Sequence, residues 1–154
     1  MSNFLRHADW SFPVPIFYGP GRINELGKLC KVNGIHRPLI VTDRGSAHLP
    51  FIKQTQDILN AENFKTNLFS GISPNPLDTE IQTGKAIFAD GKHDAVIAIG
   101  GGSGMDGGKA ISLLANNNYD LWDFDNDKTE IRDIKKFPKL ICVPTTSGTG
   151  AETE

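Results

Sequence analysis

A run of glycines interrupted by polar residues is the part of this sequence best suited to chemistry. Residues 100–109 read GGGSGMDGGK and directly follow the apolar run DAVIAI. Glycines let a ligand approach the backbone closely, because no Cβ stands in the way. A helix that begins after them offers free N–H groups and the positive end of its dipole, which suit a phosphate group. The run therefore predicts a phosphate-binding turn between a strand and a helix, and a turn without a ligand is the alternative.

The first residues of this expected helix match some known motifs and fail to match others. Ser103 and Asp106 have the spacing of a capping box with Asp in place of Glu, so we expect Ser103 to be the N-cap. Gly102, Gly104 and Gly107 match the pattern GxGxxG. That match is weak evidence, because glycines are dense here and no acidic residue ends a strand ~20 residues later. The P-loop pattern fails, because Ser103 stands where its first Gly should be.

Two further candidates follow other apolar runs. Asp43 ends the run PLIVTD, where a carboxylate accepts hydrogen bonds from a ribose diol and repels the extra phosphate of NADP. The alternative for Asp43 is an N-cap or turn residue before Gly45, and Arg44 beside it would soften the preference for NAD. Asn75 stands between two prolines in SPNP, which would hold the loop rigid and aim the amide; a plain surface turn is the alternative.

A cluster of hydroxyls follows the last apolar run, LICV. The segment PTTSGTG, residues 144–150, carries Thr145, Thr146 and Thr149 together with two glycines. Small donors and bare backbone suit contacts with an adenine or a phosphate. A hydroxyl-capped turn is the alternative.

Strands and helices, recognised by their different spacing of apolar residues, are expected to alternate along the chain and to position these residues. The pattern predicts strands at 14–19, 38–43, 64–71 and 94–100 and within 137–146, and helices at 22–32, 51–62, 77–91 and 102–116. Gly34 is expected to end the first helix. Such alternation predicts an α/β fold, a parallel sheet with helices on both faces. Ligands of such sheets bind at the carboxyl ends of the strands, where the candidates above would meet.

Composition excludes several classes of protein. The 16 basic and 18 acidic residues give a net charge of -2, which argues against a nucleic-acid binder or a polybasic membrane anchor. No apolar run approaches the ~20 residues of a membrane span. Cys30 and Cys142 are far apart and form no zinc or disulfide pattern, so we expect reduced thiols and a cytoplasmic protein. The four scattered histidines are expected at the surface rather than as metal ligands.

Five segments together carry a resemblance to a known family. In order along the chain, they are FYGPGRINEL, PLIVTDRG, SPNP, AVIAIGGGSGMDGGKAI and PTTSGTGAE. They resemble the iron-containing (group III, metal-dependent) alcohol dehydrogenases of the dehydroquinate-synthase-like superfamily, from about residue 17 to residue 154. The resemblance implies that residues 1–154 form the Rossmann-like dinucleotide-binding domain of a two-domain enzyme. The helical C-terminal domain would bind Fe2+ or Zn2+, with ligands that are not in this chain.

The resemblance also implies a role for each candidate in binding NAD, with NADP less favoured. Asp43 would meet the adenosine ribose and Asn75 the adenosine side. The pyrophosphate would lie on Gly101, Gly102 and Ser103, the adenine and phosphate side would be lined by Thr145, Thr146 and Thr149, and Asp106 would be nearer the nicotinamide. No catalytic residue is assigned.

The activity implied is hydride transfer between an alcohol or aldehyde substrate and the nicotinamide. Family members run to well over twice this length, so we expect the chain alone to be inactive. They often pair as dimers through the segment that includes Trp10, Phe12 and residues 14–17, which implies a homodimer or higher oligomer. A glycerol-dehydrogenase-like or dehydroquinate-synthase-like enzyme and a non-catalytic nucleotide-binding module are the alternatives.

Overall fold

Helices and strands alternate along the chain in the computed structural model, which describes residues 8–11, 14–125 and 133–153. The strands are β1 (Ala8–Ser11), β2 (Pro15–Tyr18), β3 (Pro38–Asp43), β4 (Asn67–Ile72), β5 (Ala95–Gly100) and β6 (Lys139–Pro144). The α-helices are α1 (Leu26–Val32), α2 (Pro50–Ala61), α3 (Asp78–Asp90) and α4 (Gly102–Leu114). Short 3-10 helices cover Arg22–Glu25, Leu121–Phe124 and Ala151–Thr153.

Four of the strands form one parallel sheet in the order β4-β3-β5-β6. From β3 the chain moves outward to β4, then crosses back over β3 to form β5 on its other side. The strand order therefore reverses between β3 and β5. In a doubly wound fold, the crevice at such a switch point is where ligands bind.

The two central strands of the sheet, β3 and β5, are buried on both faces. The β3 residues Leu39 and Val41 pack into one apolar cluster with α3 and α4, whereas Ile40 between them packs into a second cluster with α1 and α2. All six residues of β5 are buried. Strands covered on both sides are expected to be continuously apolar, as PLIV and AVIAI are. The predicted α/β fold, with helices on both faces of a parallel sheet, is confirmed.

The end of α1 shows how local sequence sets an element boundary. Gly34 adopts a φ of 61°, and its N–H donates to the carbonyl of Lys31. The N–H of Ile35 donates to the carbonyl of Cys30, and its side chain is buried. These two bonds form a Schellman motif, which requires the left-handed conformation that Gly adopts without strain. The prediction that Gly34 ends this helix is confirmed.

Two expectations about local structure were wrong, at Ser103 and His93, and the first strand was not given bounds from the sequence. Ser103 is not an N-cap: the cap is Gly101, whose extended backbone starts α4 at Gly102 and leaves Ser103 inside the first turn. The segment around Trp10 was expected to have exposed-strand character without defined bounds, and β1 (Ala8–Ser11) pairs there antiparallel with β2. His93 is buried rather than at the surface, because its Nδ1 lies 2.8 Å from the carbonyl oxygen of Arg37.

Candidate functional site

The crevice at the switch point is bounded by Asp43, the last residue of β3, and Gly100, the last residue of β5. Gly100 has a φ of 142°, which side-chain-bearing residues rarely adopt. A Cβ on Gly100 would lie 3.1 Å from Asp43 Oδ2, and a Cβ on Gly104 would lie 3.2 Å from the Asp43 backbone nitrogen. Glycine at these two positions therefore lets the turn after β5 lie directly against Asp43. Residues 100–104 are called the glycine-rich turn below.

Asp43 is fixed in place by a local turn. Its Oδ1 accepts a hydrogen bond from the Ser46 backbone N–H at 2.9 Å, and its Oδ2 accepts one from the Ser46 hydroxyl at 2.7 Å. This is the turn role that the sequence offered as an alternative. These two hydrogen bonds leave other acceptor sites of the carboxylate available, because its two ionised oxygens have about four acceptor sites in all. A half-buried Asp43 with a fixed orientation can still accept hydrogen bonds from a ligand in the crevice.

The loop after β6 lies across the glycine-rich turn. The Thr145 backbone N–H donates to the Gly100 carbonyl oxygen at 2.9 Å. A Cβ on Gly101 would lie 3.6 Å from Thr146 Oγ1, and a Cβ on Gly102 would lie 3.7 Å from Thr149 Oγ1. Two threonine hydroxyls thus face bare backbone at the start of α4. The first N–H groups of a helix have no intrahelical acceptor, so this start can bind an anion.

Close packing of α4 on the sheet places its N-terminus at the crevice. A Cβ on Gly107 would lie 2.7 Å from Ile72 Cδ1, and a Cβ on Gly108 would overlap the Cβ of Ala98. Only glycine allows the helix axis to come this near to the sheet. The last glycine of the GxGxxG match therefore serves helix–sheet packing, as the third glycine of that motif does in dinucleotide-binding folds.

Asn75 lies in an exposed loop after β4, which we call the Pro-Asn-Pro loop (residues 73–77). The Ser73 hydroxyl lies 2.6 Å from the Asn75 carbonyl oxygen and 3.0 Å from Glu80 Oε2. Glu80 Oε2 also accepts hydrogen bonds from the backbone N–H groups of Ser73, at 3.0 Å, and Leu77, at 3.1 Å. One buried carboxylate on α3 therefore holds both ends of the loop that presents Asn75.

The same carboxylate connects this loop to the end of β3. Arg44 Nη2 donates to Glu80 Oε1 at 2.6 Å, and Arg44 Nε donates to the Gly71 carbonyl oxygen at 3.0 Å. The Ser73 backbone N–H is the main cause that lowers the pKa of the Glu80 carboxyl. The Leu77 N–H, the Ser73 hydroxyl and Arg44 lower it further, while burial opposes them. Glu80 is therefore ionised at neutral pH and pairs with Arg44 as a charged group.

Asp106 is exposed and lies one turn into α4. Its Oδ1 lies 3.5 Å from the half-buried Nζ of Lys109. Burial raises the pKa of the nearby Cys142 thiol, and Lys109 acts in the opposite direction. Asp106 and Lys109 thus form a loose ion pair whose charges act on Cys142 of β6.

Two residues of this arrangement were not found by sequence reasoning. Ser46 fixes the Asp43 carboxylate, and Glu80 fixes the Pro-Asn-Pro loop. Asp43 accepts from a backbone N–H three residues on, which is the spacing of an N-cap side chain and the N3 residue. Glu80 is the third residue of α3, where a Glu side chain reaches back to the N-cap backbone. Both signals were present in the sequence, but their connection to the candidate site depends on the fold.

Neither a metal centre nor a membrane span is found in the described part of the chain. Residues 8–11, 14–125 and 133–153 contain no group of three or more His, Cys, Asp or Glu side chains that could hold a metal ion. Over the same residues, no helix is both long and apolar enough to cross a bilayer.

Comparison with known proteins places these features in a family context. The model of the family "Iron-containing alcohol dehydrogenase" matches residues 13–154. The chain is 32% identical to the 1,3-propanediol dehydrogenase of Klebsiella pneumoniae over 149 residues, which cover 96% of this chain and 38% of that protein. It is 33% identical to the NADH-dependent butanol dehydrogenase A of Clostridium acetobutylicum over 147 residues, 95% of this chain and 37% of that protein.

Solved structures share the fold as well as the sequence. The alcohol dehydrogenase from Oenococcus oeni superimposes with a TM-score of 0.79 at 33% identity, covering 88% of this chain and 35% of that one. The present chain thus spans little more than a third of the length of the proteins it matches.

Proposed function

This chain belongs to the iron-containing alcohol dehydrogenase family, and on that basis we propose that it is the dinucleotide-binding domain of a metal-dependent alcohol dehydrogenase. The observation that carries the proposal is the placement of bare backbone at the start of α4 directly beside a fixed carboxylate. A Cβ on Gly101 or Gly102 would be at ordinary contact distance from Thr146 or Thr149, so the glycines leave the backbone bare there, and Asp43 lies against Gly100 and Gly104. An anion-binding helix start next to an acceptor for hydroxyls is the chemistry that a dinucleotide requires.

In this proposal the pyrophosphate of NAD lies at the N-terminus of α4. Backbone N–H groups of Gly101, Gly102 and Ser103 donate to its oxygens, and the helix dipole favours its charge. Asp43 accepts hydrogen bonds from the hydroxyls of the adenosine ribose and disfavours the additional phosphate of NADP. Thr145, Thr146 and Thr149 line the adenine and phosphate side, together with Asn75 from the Pro-Asn-Pro loop. Asp106, farther along α4, lies nearer the nicotinamide.

The reaction of the whole protein is proposed to be hydride transfer between a small alcohol or aldehyde and the nicotinamide. When bound, iron or zinc would supply Lewis acidity at the alcohol oxygen, but the described residues do not fit such a centre, so no step on this chain is assigned to it. The contribution of these residues is to hold and orient the cofactor. We therefore expect no alcohol-dependent formation of NADH by the 154-residue chain. The cytoplasmic location and the homodimer or higher oligomer stay predictions.

Calorimetric titration of the chain with NAD and with NADP tests the cofactor site. We expect NAD to bind more tightly than NADP, and Asp43→Ala to weaken NAD binding by about tenfold or more, because the ribose loses a charged acceptor. Asp94→Ala is the matched control. Asp94 also flanks a strand and also accepts two hydrogen bonds, from the N–H groups of His36 and Arg37, but it lies at the opposite end of the sheet.

The two variants separate cofactor binding from folding. Asp94→Ala should lower stability and leave the affinity for NAD unchanged at a temperature where the chain is folded. Equal loss of affinity in both variants would show that Asp43 acts only through folding. Absence of binding by the unmodified chain, for NAD and NADP alike, would contradict the proposal.

A further inference from the structure

Arg44 is the cation nearest in sequence to the carboxylate proposed to meet the ribose, and its placement bears on cofactor choice. Its side chain is 62% exposed, yet the guanidinium is held at two points, Glu80 Oε1 and the carbonyl oxygen of Gly71. Both partners lie toward β4, on the far side of β3 from the glycine-rich turn. An Arg in this part of a dinucleotide-binding fold is the group that accommodates the 2′-phosphate of NADP.

Glu80 is well placed to hold Arg44 in this position. It is only 8% exposed, and its second oxygen accepts three hydrogen bonds from the Pro-Asn-Pro loop. A carboxylate fixed by that many donors cannot follow a guanidinium that moves away. Departure of Arg44 would leave a buried charge without its ion-pair partner, which is costly. The ion pair therefore opposes any movement of Arg44 toward Asp43 and the ribose.

We propose that Glu80 is a specificity-determining positioning residue, which favours NAD over NADP by holding Arg44 away from the ribose 2′ position. This inference rests on the proposed function, since it concerns the same cofactor site. Specificity is a difference between two affinities, and it can be built by withholding a favourable contact from the wrong ligand. Asp43 supplies the repulsion toward a 2′-phosphate, and Glu80 removes the cation that would compensate for it.

Glu80→Gln is the variant that isolates this effect. Glutamine has the same shape and keeps a carbonyl oxygen for the loop N–H groups, but it removes the charge that binds Arg44. Freed Arg44 can then pair with a phosphate beside Asp43 through a charge-assisted hydrogen bond. We expect the ratio of NADP affinity to NAD affinity to rise about tenfold. Arg44→Ala alone should leave that ratio within about twofold, because the guanidinium is already engaged elsewhere.

The experiment is a double-mutant cycle measured by calorimetric titration of the 154-residue chain with NAD and NADP. The variants are Glu80→Gln, Arg44→Ala and the double variant, with Glu62→Gln as control. Glu62 forms an ion pair with Lys31 at 2.7 Å on the opposite end of the sheet. The expected result is a gain for NADP in Glu80→Gln that disappears in the double variant and is absent in Glu62→Gln. Thermal unfolding of each variant establishes that it is folded at the titration temperature.

The possible results distinguish this inference from the proposed function. If the chain binds NAD but Glu80→Gln does not change the ratio of NADP affinity to NAD affinity, the inference is overturned and the proposed function is not. The same holds if the gain in NADP affinity persists in the double variant, which lacks Arg44. A purely structural role would weaken both cofactors equally and leave the ratio unmoved. Failure of the unmodified chain to bind either cofactor would overturn both. Should Glu80→Gln unfold, Glu80→Asp withdraws the carboxylate by one methylene and is expected to shift the ratio in the same direction, and an unchanged ratio would again overturn the inference.

Discussion

The two ends of the parallel sheet use the same kinds of residue for different purposes. At the amino end, Asp94 precedes β5 and accepts hydrogen bonds from the backbone N–H groups of His36, at 2.8 Å, and Arg37, at 2.9 Å. At the carboxyl end, Asp43 is the last residue of β3 and accepts two hydrogen bonds from Ser46, three residues away. Asp94 thus joins segments that are distant in sequence, whereas Asp43 is held by its own turn and lies against glycines.

Arg37 and His93, also at the amino end, make further hydrogen bonds between segments of the chain. Arg37 donates to the Gly91 carbonyl oxygen from Nε and Nη2, and its own carbonyl oxygen lies 2.8 Å from His93 Nδ1. Cavities of about 490 and 400 Å³ lie at this end, lined in part by Arg37 and Asp94. Arg37 and Asp94 are committed to hydrogen bonds within the chain. The carboxyl end instead presents bare glycine backbone at the start of α4, which supports the ligand site proposed there.

The largest effect is expected from a methyl group added at the amino end. In Gly91→Ala the new Cβ would meet the His93 ring, at 2.5 Å from Cδ2. That ring is buried and fixed by its contact with Arg37, so it cannot move away freely. We expect a loss of unfolding free energy of about 1–3 kcal/mol, with unchanged affinity for NAD. Urea unfolding measures the unfolding free energy, and calorimetric titration measures the affinity for NAD. Full stability in Gly91→Ala would show that the His93 ring moves aside.

The same substitution at the carboxyl end should have the reverse outcome. In Gly102→Ala the nearest heavy atom to the new Cβ is Thr149 Oγ1 at 3.7 Å, so the folded chain has room for it. Alanine also favours a helix more than glycine does. We expect unchanged or slightly higher stability and about tenfold weaker NAD binding, about 1.4 kcal/mol, because the methyl group occupies the proposed pyrophosphate position. NAD affinity equal to that of the unmodified chain would argue against this position of the pyrophosphate.

The smallest effect is expected from acid. The folded-state pKa of Glu80 lies below its ordinary value of 4.5, so the ionised carboxylate stabilises the folded chain above about pH 4.5. This contribution is lost as the pH falls through the lowered pKa. Glu80→Gln has no such titration, and therefore the difference in stability between the two chains should shrink below pH 4.5. Unfolding in urea at several pH values from 3 to 7 measures this difference. A difference that does not change with pH would show that the Glu80 bonds add no pH-dependent stability.

Much of the architecture follows from local sequence. The bounds of β3 were predicted to the residue, because PLIV is continuously apolar and Asp43 breaks the pattern. Gly34 ends α1 because its place in the chain demands a left-handed residue. The first residue of α4 was harder to predict, because either a serine or a glycine of GGGS could be the N-cap. Only the extended backbone at Gly101 decides between them.

The candidate site was likewise predictable from the sequence in part and dependent on the tertiary structure for the rest. The sequence determined by itself that Asp43, the glycine-rich turn and the segment with Thr145, Thr146 and Thr149 each follow a strand, because apolar periodicity and turn chemistry are local properties. Only the tertiary structure decided that Arg44 reaches Glu80, 36 residues later in the chain. It also decided that Asp94 joins β5 to a loop 57 residues earlier, while Asp43 turns toward bare glycine. The strand order and the close approach of α4 set these contacts, since they fix which strand ends meet at the crevice.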